Sequence, residues 1–336
     1  MISLSGVSIL MCTHNGAQKI EMTLKHLLAQ QINSDIQWEI IVIENASTDR
    51  TFQIVNEFRL LNAPCRIRLY QEPTPGKLAA LKVGVKNAKY DYLLICDDDN
   101  WLGNDYVAQL FDIFIKNPSV GVIGGKGRPV TNRQLPNWVL PHLHNFAASE
   151  QWPISSDITN EVGSVYGAGM GIRKVIYQIV LNQNWPLLLS SLRNKKSLVS
   201  GEDTEICLIA RFLGYKIYYK DTLQFEHDLH WDRMTEAYFL KLIYYFGSGT
   251  ALLTPYVEHY EKQPQRNIYY LILIETYRFF RYGALERLFN KSIEAKKTYY
   301  FRFGFMKSLF QNRRKIKALR TYLNVKSIAS TPSNFK

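Results

Sequence analysis

Three consecutive carboxylates, Asp97, Asp98 and Asp99, close the apolar run Tyr92-Leu-Leu-Ile-Cys96 and precede Asn100-Trp101. A run of that length and content predicts a buried strand. Acids crowded at its tip repel one another and resist desolvation unless a cation compensates them. Mg²⁺ or Mn²⁺ is such a cation, because both take oxygen ligands and bridge to substrate phosphates. A solvated acidic turn is the plain alternative. The strand in front of it favours a site, since ligands of open α/β sheets lie outside the carboxyl ends of the strands.

Two earlier loops offer polar groups of the same kind: Thr13-His14-Asn15 after Val7–Cys12, and Glu44-Asn45 after Trp38–Ile43. In a parallel sheet such ends share one edge, so the three loops are expected to converge. One acid on the second loop and three after the fourth strand suit a nucleotide. The first loop would hold the base or ribose, Glu44 would accept from the base, and the last Asp would hold a metal on the diphosphate. Glu202-Asp203 opens a predicted helix, where acids gain from the helix dipole in any case. Gly167-Ala-Gly-Met-Gly171 lacks GxGxxG spacing and an acid at the ribose distance. His227 follows a strand and reads either as part of a metal or phosphate site or as an exposed His beside Glu226 and Asp228. Trp101, Trp138 and Trp152 suit sugar stacking, with a core role equally open for Trp101.

The elements that must position these groups alternate over the first hundred residues. Helical spacing runs over Gln18 to Gln30, Thr51 to Leu61 and Gly76 to Asn87; a third strand covers Ile67 to Tyr70. Strands alternating with helices predict βαβ units, an α/β fold and a mostly parallel, Rossmann-like central sheet flanked by helices. Val120 to Gly125 reads as a short strand, followed by an irregular stretch to about Val162. A helix starts at Glu202-Asp203, with Ile206, Ile209, Ala210 and Leu213 on one face and Gly214 as its stop. Lys216 to Tyr219 reads as a strand, and from about Trp231 the pattern is helical and aromatic to near Tyr322.

The chain has 336 residues, 46% of them hydrophobic and 21% charged, as in ordinary folded proteins. Cys12, Cys65, Cys96 and Cys207 show no CxxC pairing or zinc spacing, and three of them lie within apolar or helical patterns, which suits buried thiols in a reducing compartment. The N-terminus lacks a basic region and runs straight into a strand, unlike a signal peptide. The longest apolar stretch, Ile268 to Ile274, is too short to span a bilayer. Of the net charge of +12, residues 287–320 hold +10, from eleven Lys or Arg against one Glu. They interleave it with Tyr299, Tyr300, Phe301, Phe303, Phe305, Met306, Leu309 and Phe310. That mixture suits an anionic membrane surface, or a solvated helix with an apolar inner face.

The ordered segments Val7-Ser-Ile-Leu-Met-Cys-Thr-His-Asn15, Glu44-Asn-Ala-Ser-Thr-Asp49, Gly76-Lys-Leu-Ala-Ala80, Cys96-Asp-Asp-Asp-Asn100 and Glu202-Asp203 followed by Gly214-Tyr-Lys216 resemble the motifs of family 2 glycosyltransferases with the GT-A fold. The resemblance covers about residues 5 to 230. It implies an inverting transfer from a nucleotide-sugar, a UDP-sugar foremost, to a hydroxyl of a glycan or lipid-linked acceptor, assisted by Mn²⁺ or Mg²⁺. By it, Asp99 holds the metal with His227, and Asp97 or Asp98 lies near the donor ribose. Thr13, Asn15, Glu44 and Asn45 belong to the nucleotide site, with Glu44 where the family usually has Asp. Lys77 lies near the diphosphate and Asp203 is the catalytic base. Glu202, Gly169 and Arg173 face the acceptor, where Arg173 or Lys174 would meet an anionic group.

The domain boundaries expected are a catalytic domain over 1–230, with a nucleotide half to about 118 and an acceptor half over 119–230. A basic helical extension follows over 231–322, then a disordered tail over 323–336. A sugar-1-phosphate nucleotidyltransferase would open with a Gly-rich phosphate loop where Thr13-His14-Asn15-Gly16 stands. A degenerate binding protein would have lost an acid, and a nucleic-acid binder gives no reason for the triplet. A processive synthase would carry membrane spans. The expected setting is cytoplasmic, peripheral on the inner face of the cytoplasmic membrane, with no nucleic-acid partner.

Overall fold

The computed structural model describes residues 4–61, 64–189 and 201–329. Its contacts group into two compact units, residues 1–185 with 206–231, and residues 186–205 with 232–336.

The first unit is built on one mixed sheet. Strands β1 (Val7–Thr13), β2 (Trp38–Asn45), β3 (Arg66–Glu72) and β4 (Tyr92–Ile95) are parallel and joined by helices α1 (Ile20–Leu28), α2 (Thr51–Arg59) and α3 (Lys77–Asn87). After β4 come β5 (Asn100–Leu102), α4 (Tyr106–Lys116), β6 (Val120–Val130), a 3₁₀ turn (Leu140–Phe146), β7 (Ser156–Asp157), β8 (Met170–Arg173), α5 (Lys174–Asn182), α6 (Glu202–Phe212) and β9 (Lys216–Asp228). The strand order is β3-β2-β1-β4-β8-β6-β9-β5, with β7 on β9. Strand β8 runs antiparallel to both β4 and β6. The sheet is mostly parallel over its first half, as the alternating pattern predicts. The stretch after Gly125 is more ordered than its sequence suggests, because β6 continues to Val130 and pairs with β9.

Both faces of the parallel half are covered, which is why its strands read as unbroken apolar runs rather than alternating ones. Ile9 and Met11, Ile40 and Val42, and Leu94 pack with Leu24 and Leu27 of α1 and with Val55 of α2. On the other face a Cβ at Gly84 of α3 would stand 3.0 Å from the Ile43 side chain and 3.2 Å from Leu10. Helix and sheet approach that closely because the residue there is glycine.

Register fixes the functional edge. Thr13 pairs with Glu44, and Leu10 with Ile95, so Thr13 ends level with the residues just past β4. The three polar loops therefore emerge side by side from the carboxyl ends of β1, β2 and β4.

The second unit contains α7 (Glu236–Tyr260), α8 (Ile268–Arg278), a π-helical turn (Phe279–Ala284), α9 (Leu285–Phe289) and α10 (Ile293–Ala329). Thr235 caps α7 and Asn267 caps α8 through side-chain oxygens that accept backbone N–H groups. Helices α7 and α10 touch backbone to backbone. A Cβ at Gly247 would collide with the Phe301 carbonyl, and one at Gly304 with that of Tyr244. Leu309, Ile316, Leu319 and Leu323 of α10 are buried, and Arg320 forms a buried two-pronged pair with Glu258 of α7 at 2.6 and 2.8 Å.

This helical unit changes two expectations. Residues 323–329 are helical and Leu323 is buried, so the tail does not begin at 323; residues 330–336 lie outside the described residues. Several aromatic residues of 299–310 also face inward: Tyr299 and Phe303 pack their rings on Phe279. Part of the basic charge is used in the same way. Lys296 pairs with Glu236 at 2.6 Å, and Arg287 lies over the Tyr299 ring. Among the described residues no helix is long and apolar enough to cross a membrane.

Candidate active site

The acidic triplet lies in the turn between β4 and β5, and each carboxylate has its own partner. Lys77 donates to Asp97 at 2.7 Å, the Thr13 hydroxyl donates to Asp98 at 2.6 Å, and Lys19 donates to Asp99 at 3.1 Å. Gly76 delivers Lys77. Its φ of 137° lies in a region that L side chains rarely adopt, and it turns the chain into α3 with Lys77 as the first helical residue. The Gly76 N–H is held by the Asn45 side chain at 2.7 Å. Asn45 also donates to the Glu72 and Thr74 carbonyls, so it shapes the loop that presents Lys77.

Burial and then the neighbouring Asp99 carboxylate push Asp98 up to about 6, against the lowering influence of the Thr13 hydroxyl and Lys19. Asp98 therefore holds its proton to a higher pH than an ordinary carboxyl, first because it is buried and then because Asp99 lies beside it.

His227 joins this cluster. Strand β9 pairs antiparallel with β5, setting His227 opposite Asn100. His227 Nε2 stands 3.6 Å from the Asp99 carboxylate, while its Nδ1 lies 2.8 Å from the Phe146 carbonyl. A carbonyl can only accept, so in the neutral ring Nδ1 carries the proton and Nε2 turns its lone pair towards Asp99. Two acceptors facing each other suit a shared cation. Among the described residues no group of three or more His, Cys, Asp or Glu forms a metal cage of its own. Asp99 and His227 thus fit a divalent ion that draws its remaining ligands from phosphate and water.

The first two loops clasp each other. The Asn15 side chain accepts from the Thr48 N–H at 2.8 Å, and the Asn15 N–H donates to the Ser47 hydroxyl at 3.0 Å. Asn15 has a φ of 53°, a conformation Asn tolerates better than most residues. Glu44 is 4% exposed; its carboxylate accepts from the Ser47 N–H and from Gln71.

Other expected site residues lie elsewhere or serve packing. Arg173 pairs with Tyr92 at the start of β4, the opposite end of that strand from the triplet. Its guanidinium donates to the Phe114, Asn117 and Val120 carbonyls and stacks over Tyr92 and Phe114. Lys174 donates to the Ala88 carbonyl at 2.9 Å. Neither cation is placed for an anionic acceptor, and their place is structural. Gly169 is buried, its carbonyl accepts from the Tyr106 hydroxyl at 2.7 Å, and a Cβ there would meet that same oxygen. Its glycine makes room for the Tyr106 hydroxyl. Trp101 stacks on His26 at 5.6 Å, which gives it a packing role.

Glu202 and Asp203 begin α6, where Asp203 accepts from the Thr204 N–H at 2.9 Å. Both group with the second compact unit. Glu205, one helical step further, is wholly buried and accepts from the Leu188 and Leu189 N–H groups at 2.7 and 3.0 Å. Burial pushes it up to about 7. Sequence reasoning missed Glu205 and Lys19. Lys19 just precedes α1, and nothing in its spacing reveals that this helix start lies beside the turn after β4.

The chain is similar to several known proteins. The Staphylococcus epidermidis poly-beta-1,6-N-acetyl-D-glucosamine synthase is 31% identical over 123 residues, which is 37% of this chain and 29% of that protein. The Staphylococcus aureus (strain COL) protein of the same name is 30% identical over 125 residues, again 29% of its length. The match thus spans under a third of these relatives. Among solved structures, S. aureus TarS 1-349 in complex with UDP-GlcNAc superposes with a TM-score of 0.53 at 15% identity, covering 92% of each chain. The mannosyltransferase PcManGT from Pyrobaculum calidifontis, in complex with GDP-Man and Mn²⁺, gives 0.58 at 16% identity, covering 92% of this chain and 90% of that one. At such identities the likeness establishes the GT-A fold. Residues 8–178, just over half of the chain, match the family described as Glycosyl transferase family 2 and carry the clasped loops and the triplet; the chain belongs to that family and is a glycosyltransferase.

Proposed function

We propose that the protein moves a sugar from a nucleotide-sugar, a UDP-sugar foremost, to a hydroxyl of a glycan or lipid-linked acceptor on the cytoplasmic side, with inversion. The observation that carries this reading is the meeting of Lys19, Lys77, Thr13 and His227 around three carboxylates at one sheet edge. Carboxylates and ammonium groups held together in this way suit a charged ligand containing both phosphate and metal. Asp99 and His227 would hold Mn²⁺ or Mg²⁺, which when bound offsets the charge of the diphosphate. Lys77 supplies a point charge for the leaving phosphate. Asp97 or Asp98 meets the donor ribose, and Thr13, Asn15, Glu44 and Asn45 form the wall of the nucleotide site. Since Glu44 already accepts two hydrogen bonds within the fold, its part in that wall is to hold the second loop in shape.

Asp203 acts as the general base, with Glu202 beside it on the acceptor side. The acceptor oxygen forms its bond to the anomeric carbon as the bond to the diphosphate oxygen breaks. The electron pair leaves with the diphosphate and the hydroxyl proton passes to Asp203. A single displacement of this kind inverts the anomeric centre. Support for Asp203 comes from the family resemblance and its half-buried position in the first turn of α6.

Titration calorimetry with nucleoside diphosphates, with and without Mn²⁺, tests the metal assignment, and the rate of sugar transfer tests the base. Asp99→Asn is expected to remove most of the Mn²⁺-dependent affinity, and unchanged affinity would overturn the metal assignment. Asp203→Asn is expected to bind the donor as the parent does and to transfer about two to four powers of ten more slowly. Near-parental transfer would leave Asp203 as a helix-start acid and nothing more.

A further inference from the structure

The outer side of α8 and α9 is apolar where a helix of this kind should be polar. Tyr269, Leu273 and Tyr277 recur every four residues along α8, Phe280 follows in the π-helical turn, and Leu288 and Phe289 stand exposed on α9. Leu273 is 67% exposed, Leu288 74% and Phe289 88%. The inner side already meets the packing needs of the helical unit through Ile268 and Phe279, both buried. Single exposed apolar residues are ordinary; six large ones within the helical segment from Tyr269 to Phe289 are not.

The patch has a mostly basic rim, with Glu286 its one exposed acid. Arg278 is half-exposed, Arg281 lies over Tyr282 at 5.5 Å, and Lys317 reaches across from α10 to stand 4.9 Å from the Tyr269 ring. Between residues 266 and 291 there are five Lys or Arg and two Glu. One of the two, Glu275, is already held by Arg278 at 2.6 Å and by Arg302 at 3.9 Å. Large apolar side chains, tyrosines with a polar tip, and a basic border are the chemistry of a helix lying in the head-group layer of an anionic bilayer. A second protein chain is the weaker match, since two copies would bring like-charged rims together.

We propose that the outer face of α8 and α9 seats on an anionic lipid surface. Leu273, Leu288 and Phe289 enter the acyl boundary, the tyrosine hydroxyls stay at the head groups, and Arg281 and Lys317 meet lipid phosphates. The proposal is independent of the donor chemistry. It also moves the contact away from 299–310, whose Tyr299 and Phe303 pack inside the helical unit, to the segment just before it.

The full chain is mixed with vesicles of phosphatidylcholine alone or with 30 mol% phosphatidylglycerol and sedimented at low and high salt. Binding is expected only with phosphatidylglycerol present, and it should fall as salt rises. The double variant Leu288→Ser/Phe289→Ser is expected to weaken it at least tenfold with an unchanged thermal midpoint, because both side chains stand in solvent. Leu273→Ser/Tyr277→Ser is a second, independent variant with the same expectation. Binding that ignores lipid charge, no binding, or parental binding by both variants would overturn the proposal. A sedimentation-velocity dimer that these same variants dissociate would overturn it too, assigning the face to a second copy of the chain.

Discussion

Asp98 sits between two other acids with little water to screen it. Its carboxyl is pushed up to about 6 from 3.8, first by burial and then by Asp99. In the unfolded chain this group ionises near pH 4, while the folded protein keeps the proton until about pH 6. The folded form therefore binds more protons in between, and stability falls as pH rises through that window and stays lower above it. Asp98→Asn keeps an oxygen for the Thr13 hydroxyl and removes the charge. In the presence of a chelator, urea unfolding is expected to show the variant more stable than the parent by about 1–3 kcal/mol at pH 7.5, with the gain gone near pH 4. A difference that does not change with pH would remove like-charge crowding as its cause. The triplet itself was legible because carboxylates at a strand tip have no folding purpose. Lys19 was not, because its partner Asp99 is eighty residues away in the chain and is met only once α1 packs beside β5.

Helices α7 and α10 illustrate how a buried pair ties two elements together. Glu258 and Arg320 are both nearly excluded from water and joined by two charge-assisted hydrogen bonds. Such a pair adds little over an apolar substitute, but breaking it leaves a buried charge alone. Glu258→Leu is expected to cost about 3–5 kcal/mol in urea unfolding, and Glu258→Leu/Arg320→Met to recover most of that loss. If the double variant is as unstable as the single one, geometry rather than the stranded charge is at fault. Periodicity marked α10 as helical, yet it did not say which side would face α7. The glycines decide that: Gly247 and Gly304 let the two backbones touch, and the rings of Tyr299 and Phe303 then turn inward. Strand β8 was hidden for a related reason. Gly167 to Gly171 resembles a loop in sequence, yet its last two residues open β8, whose pairing comes from β4 and β6 on either side.

Across the whole chain, the net charge of +12 is carried mostly by the helical unit, while the sheet unit sets its acidic triplet, Asp97 to Asp99, at one edge. The alternation of apolar runs and helical spacing was enough to fix the parallel half of the sheet. Such runs have to be buried on both faces, and only a βαβ arrangement does that. The same logic placed Thr13, Glu44 and Asp97–Asp99 on a common edge, because parallel strands present their carboxyl ends together. Local pattern does not extend to partners far apart in sequence. Arg173 has the charge for an acceptor site, but strand pairing carries it to the other end of β4, where three carbonyls claim it. His227 reads ambiguously by itself, and the antiparallel pairing of β9 with β5 brings its free nitrogen to Asp99. Residue type and spacing reveal which groups could do chemistry, since burial and charge repulsion act on any chain alike. Which of those groups meet depends on register and helix packing, set by contacts between segments that share no local pattern.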